Sequence, residues 1–134
     1  MKSQGNYVIL LKVKERLDDV ILLITTRLKV TKYSVMDIWI SHVNETTGYF
    51  KVRFWLDTEY IDVYERLKHG LIVKYAYSLI RRDMCLLRYD NAPHESHKNL
   101  PTFHHHRHAG NRVFPLYNPS LDLFLKECLL ILRT

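Results

Sequence analysis

Between residues 33 and 89 apolar and polar side chains alternate with a period of two, in five runs broken by short turn signals. Only an extended strand sends successive side chains to opposite faces, so the pattern confines the middle of the chain to a sheet with one buried face. Phe50, Val52, Phe54 and Leu56 alternate with Lys51, Arg53 and Trp55. Ile61, Val63 and Leu67 alternate with Tyr60, Asp62, Tyr64 and Arg66. The runs place strands at about 33–43, 49–56, 59–67, 71–80 and 84–89. Asn44 to Gly48, Asp57-Thr58, Lys68-His69-Gly70 and Arg81-Arg82-Asp83 turn the chain between them. Connections this short join antiparallel neighbours, which predicts a five-stranded meander.

The period changes on both sides of the sheet. Leu10, Leu11, Leu17, Ile21, Ile24 and Leu28 fall at mostly helical spacing, which predicts a helix over about 6–28. The β-branched run from Val20 to Thr26 weakens its second half, and a break at Asp18-Asp19 followed by a strand is the competing reading. Asn118-Pro119-Ser120 opens a second helix over about 120–132, with Ser120 as N-cap and Leu121, Phe124, Leu125, Cys128, Leu129 and Leu132 as its apolar face. The whole reads as one α+β domain, with terminal helices packed on one face of the sheet.

Composition is compatible with that fold. The 134 residues are 47% hydrophobic, enough to build a core, and only four Gly and four Pro limit the loops. A formal charge of +6 points to polyanionic partners, either nucleic acid or an acidic protein. Cys85 and Cys128 form no Cys-x-x-Cys pair. The N-terminus Met-Lys-Ser-Gln-Gly-Asn is polar, so no signal peptide is expected, and no uncharged run reaches 18 residues. These features lead to the expectation of a cytoplasmic protein with reduced thiols.

Residues 88–110 form the next segment, which follows no clear period from about residue 91 onward. Six of the eight histidines lie here, together with Arg88, Asp90, Asn91 and Arg107. Such residues contribute little to a core, but they titrate near neutral pH, donate hydrogen bonds and bind metals. Asp90-Asn91-Ala92-Pro93 reads as a strand-ending turn. If residues 104–108 are extended, His104, His106 and His108 share one face while His105 and Arg107 take the other. Two chemistries fit. One is metal-independent RNA cleavage, in which two imidazoles exchange protons and an arginine stabilises the phosphoryl charge. The other is a bound transition metal on His94, His104, His106 and His108, although the spacing matches no established zinc pattern. A solvated loop without chemistry is the third reading. No cofactor is expected. Arg53 and Lys74 mark a basic sheet face on which Tyr60, Tyr64, Tyr75 and Tyr77 could stack bases.

The run from Arg88 to His94, followed by Leu100-Pro101-Thr102-Phe103 and His105-His106-Arg107-His108, resembles the signature of the TumE family of prokaryotic toxin–antitoxin proteins. Glu95 and His104 depart from it, standing where the family often has His and Pro. The resemblance implies a small toxin acting on RNA and neutralised by a cognate helix-turn-helix antitoxin, here expected to present an acidic surface. Within this frame the expected catalytic set is His94, His105, His106, His108, Asp90, Arg88 and Arg107. His94 pairs with one of the later histidines, and Asp90 orients an imidazole. Tyr89, Asn91, Arg53 and Lys74 are the expected substrate contacts. A homodimer would also protect the sheet edges.

Overall fold

The computed structural model describes residues 9–29, 35–93, 100 and 102–133. It shows one antiparallel sheet flanked by two helices, the α+β arrangement expected, but with seven strands rather than five. Helix α1 (Val13–Leu28) precedes β1 (Met36–Asn44), β2 (Thr47–Trp55), β3 (Glu59–Lys68), β4 (Leu71–Arg81) and β5 (Met84–Asp90). Two further strands follow, β6 (His106–Ala109) and β7 (Arg112–Pro115), and then α2 (Leu121–Leu132). Strand order equals chain order, so the sheet is a continuous meander.

The two extra strands form a hairpin whose two-residue loop is Gly110-Asn111, with Ala109 opposite Arg112. Gly110 takes φ 61°, a conformation open to glycine at little cost. Gly-Asn between two short runs is a hairpin signal. The run before it consists of histidines and an arginine, which hid its strand character.

The long N-terminal helix is also corrected. Helix α1 starts at Val13, and the described residues before it are not helical. Leu11 N–H donates to Gly70 O (2.9 Å) and Val13 N–H to Glu45 O (2.8 Å), pinning this approach to two strand turns. Tertiary bonds thus stand in for a side-chain cap, which Lys12 does not supply. The β-branched stretch stays helical because Val20 and Ile24 are fully buried, and packing overrides propensity. Residues 6–8, 33 and 34 of the expected elements lie outside the described residues. Helix α2 keeps its expected cap, with Ser120 Oγ accepting from Leu123 N–H at 3.0 Å.

Both helices lie on the face formed by Phe50, Val52, Phe54, Ile61, Val63, Leu79, Leu87 and Tyr89, all at most 1% exposed. Glu65 is fully buried on the same face. Arg16 of α1 grips it with Nε and Nη2 at 2.7 and 2.8 Å, and Tyr77 Oη donates to it at 2.6 Å. The hydrogen bond to Glu65 holds the Arg16 pKa above its ordinary value against the opposing effect of burial. Burial and the Glu65 charge push the Tyr77 phenol up, so it keeps its proton. Cys85 is exposed, Cys128 is buried, and they form no disulfide. No helix among the described residues is long and apolar enough to cross a membrane.

Removing Arg16 would leave the Glu65 carboxylate buried without its cation. Arg16→Ala is expected to lower the unfolding free energy by about 3 kcal/mol, as read from urea denaturation.

Candidate functional site

Strand pairing, rather than proximity in sequence, assembles the polar cluster. The β5–β6 register sets Asp90 opposite His106, Tyr89 opposite Arg107 and Arg88 opposite His108. Directly paired residues share a face, and the next pair along takes the other. The histidine-rich motif is therefore divided by parity. Arg88, Asp90, His106 and His108 point to the face without helices. Tyr89, His105 and Arg107 point to the helix-covered face.

Asp90 is the centre of the first group. Its carboxylate is almost fully buried, and its oxygens meet four polar neighbours. Arg88 Nε donates to Oδ2 at 2.6 Å and Ala92 N–H to Oδ1 at 3.1 Å. His106 Nε2 lies 2.7 Å from Oδ1, at ion-pair distance. His108 Nε2 lies 3.7 Å from Oδ2, within ion-pair reach but beyond a hydrogen bond. The His106 and His108 rings meet edge to face at 4.6 Å. Accessibility separates their roles. His106 is 1% exposed, whereas the His108 side chain is 27% and the Arg88 side chain 42% exposed. Arg88 Nη1 also reaches Ser78 Oγ at 3.0 Å, which fixes the guanidinium over β4.

The second group builds the scaffold. Arg107 Nε and Nη2 contact Glu127 of α2 at 2.9 and 2.7 Å, and the Tyr89 hydroxyl donates to the same carboxylate. Tyr89 packs edge-on against Phe124, and the Arg107 guanidinium lies over Phe114. His105 Nδ1 sits 2.9 Å from Tyr75 Oη, with the two rings stacked. Burial, then the Asp90 charge, raises the Tyr75 pKa, so its phenol stays neutral. Among the described residues Asn91 bonds to backbone: its Oδ1 accepts from Tyr75 N–H at 3.0 Å and its Nδ2 donates to Val73 O at 3.1 Å. The side chain thereby continues the β4–β5 ladder where β5 ends.

His94 lies outside the described residues. His104 is an exposed turn residue at φ 81° and does not join the cluster. Of the four histidines expected to hold a metal, the structure brings His106 and His108 together. The carboxylate that completes a ligand-like trio is Asp90, with donor atoms all within 4.8 Å of one another. Arg53 binds Asp62 through two hydrogen bonds of 2.8 and 2.9 Å, and Lys74 stands exposed on the open face. Tyr75 and Tyr77 are buried beneath the helices, which leaves Tyr60 and Tyr64 of the aromatic set on the open face. Ser78 and His108, which flank Arg88 in one row across β4, β5 and β6, were not legible as members of one row in the sequence. Their link is the register, which a local pattern does not contain.

The family model described as toxin TumE matches residues 12–131. Neither the curated proteins nor the solved structures contain a match to the chain.

Glu127 provides a test of the scaffold assignment. Burial alone would raise its pKa, but hydrogen bonds from Arg107 and Tyr89 outweigh burial and hold it below the ordinary value. A carboxyl depressed by folding stabilises the fold above its unfolded-state value, about 4.3, and this contribution is lost as pH falls through the lower folded value. Melting temperatures of the wild-type chain and Glu127→Gln should therefore differ most near neutral pH and converge in acid.

Proposed function

Because the chain belongs to the TumE toxin family, we propose that it is the toxin of a toxin–antitoxin pair and acts on RNA through the cluster around Asp90. The observation that carries this reading is a buried carboxylate holding Arg88 and two imidazoles on the sheet face opposite the helices of a basic protein. A carboxylate against an imidazole orients the ring. His108 is the accessible imidazole and takes or delivers a proton at the ribose 2′-hydroxyl or the leaving oxygen. Arg88, already fixed by Asp90 and Ser78, stabilises charge on the phosphoryl group. His106 is enclosed and acts as a positioning residue for Asp90. On the sequence motif alone, the second proton transfer is assigned to His94.

Arg107 and His105 have no part in this scheme, since both are engaged on the helix face. A metal ion is the competing use of Asp90, His106 and His108. The Arg88 guanidinium at 2.6 Å from one carboxylate oxygen opposes a second cation there, which favours acid–base chemistry. The partner is a cognate antitoxin of the helix-turn-helix type. An acidic surface on it would match the charge of +6 and cover the open face.

His108→Ala is expected to lower RNA cleavage and growth inhibition by roughly 10² to 10⁴, the usual contribution of a general acid or base, while the protein stays folded. Cleavage should survive chelator. Stoichiometric metal with no turnover would instead support a metal-binding module. Co-expression with the product of the neighbouring gene should give a single complex on gel filtration. Two separate peaks at micromolar concentration would count against the antitoxin reading.

A further inference from the structure

Beside the Asp90 cluster the sheet has a depression. On the open face β4 presents Ala76 and Ser78, two small side chains between bulkier rows on β3 and β5. The result is a trough of about 260 Å³ bordered by Lys51, Tyr64, Lys74 and Arg88 as well as these two residues. Among the described residues its one lining carboxylate is Asp62, which Arg53 neutralises through both oxygens at 2.8 and 2.9 Å, with Lys51 3.3 Å away as an additional cation. The trough thus offers an aromatic ring, a hydroxyl and three cations.

Register fixes its relation to the cluster. Lys51, Tyr64, Ala76, Asp90 and His106 form one row across five strands, and Asp62, Ser78, Arg88 and His108 form the next. Tyr64 stands two strands from Asp90, a separation of roughly 10 Å. The first row continues to Trp39, which is 48% exposed and carries Lys51 over its ring at 5.4 Å.

We propose that this trough is a nucleotide subsite for single-stranded RNA. An unpaired base lies against Tyr64 above Ala76, its backbone phosphates lie along Lys74 and Lys51, and the next phosphodiester reaches Arg88 and His108. This rests on the reading of the open face as the face that acts on RNA. The strand is single because stacking on Tyr64 requires a base whose own partner is absent, and a duplex exposes only its backbone and base edges to such a surface. Ala76 determines the depth of the site: a larger side chain would fill it.

Binding is measured separately from cleavage by titrating a fluorescent, unstructured oligoribonucleotide with the His108→Ala protein and following anisotropy. In that background Tyr64→Ala is expected to weaken binding about ten- to a hundredfold, the range for loss of one stacked base. Ala76→Leu should weaken it similarly by filling the trough. Lys74→Ala should reduce the slope of log affinity against log salt by about 0.7, one phosphate on a single strand. A blunt duplex of the same sequence should bind more weakly than the single strand. Thermal melts establish that each variant is folded. Tyr64→Ala and Lys74→Ala alter exposed-face positions and keep the test decisive if Ala76→Leu does not fold. RNA binding that is unchanged in the folded variants, or a duplex bound as tightly as the single strand, overturns the subsite alone. No RNA binding by the unsubstituted chain overturns the functional reading and the subsite together.

Discussion

The pairing of β5 with β6 is the constraint on which the polar architecture depends. Once Asp90 stands opposite His106, Arg88 must stand opposite His108, and Tyr89 and Arg107 must turn to the other face. Because the β4–β5 pairing fixes β5, a slip of one residue in β6 would turn His106 and His108 to the helix side and Arg107 away from Glu127. The register is held by apolar and ionic demands together. Tyr89 is fully buried against Phe124, and Arg107 needs Glu127. The half of the motif on the helix side therefore fixes the position of the half around Asp90.

Two buried carboxylates are treated differently by the fold. Glu65 meets one arginine and one tyrosine in a closed arrangement between α1 and the sheet, and its role ends in tying them together. Asp90 meets an arginine and two imidazoles, and two of these three partners remain partly exposed. Burying a carboxylate costs several kcal/mol unless its partners are well placed, roughly the same cost in both places. At Glu65 the return is helix anchorage. At Asp90 two of the partners, Arg88 and His108, remain partly exposed.

Much of the fold was legible in the sequence because strands β2–β5 bury mainly one face, and a half-buried strand writes its burial as alternation; β1 alternates in sequence although it is exposed along nearly its whole length. Helix α2 was legible for a similar reason, with Ser120 marking its start and Leu121, Phe124, Leu125 and Cys128 its buried stripe. Helix α1 was misjudged at its beginning. Leu10 and Leu11 continue the apolar spacing, but Leu11 gives its N–H to Gly70 instead of to a helical turn. Strands β6 and β7 were missed because their buried positions include His106, so hydropathy carries no alternation there.

The sequence by itself determined the meander, the two helices, the basic charge and the segment that holds the candidate site. Each of these is written in local patterns of polarity, turn residues and motif spacing. It also determined that the two sides of an extended histidine segment would differ. Only the tertiary structure decided that residues from His106 onward are extended, and which face is left open. It also assigned Arg107 to Glu127, made Asn91 a backbone partner of β4, and brought Ser78, Arg88 and His108 into neighbouring places. Those outcomes depend on strand register and on where the helices pack, which are settled by contacts between residues far apart in the chain.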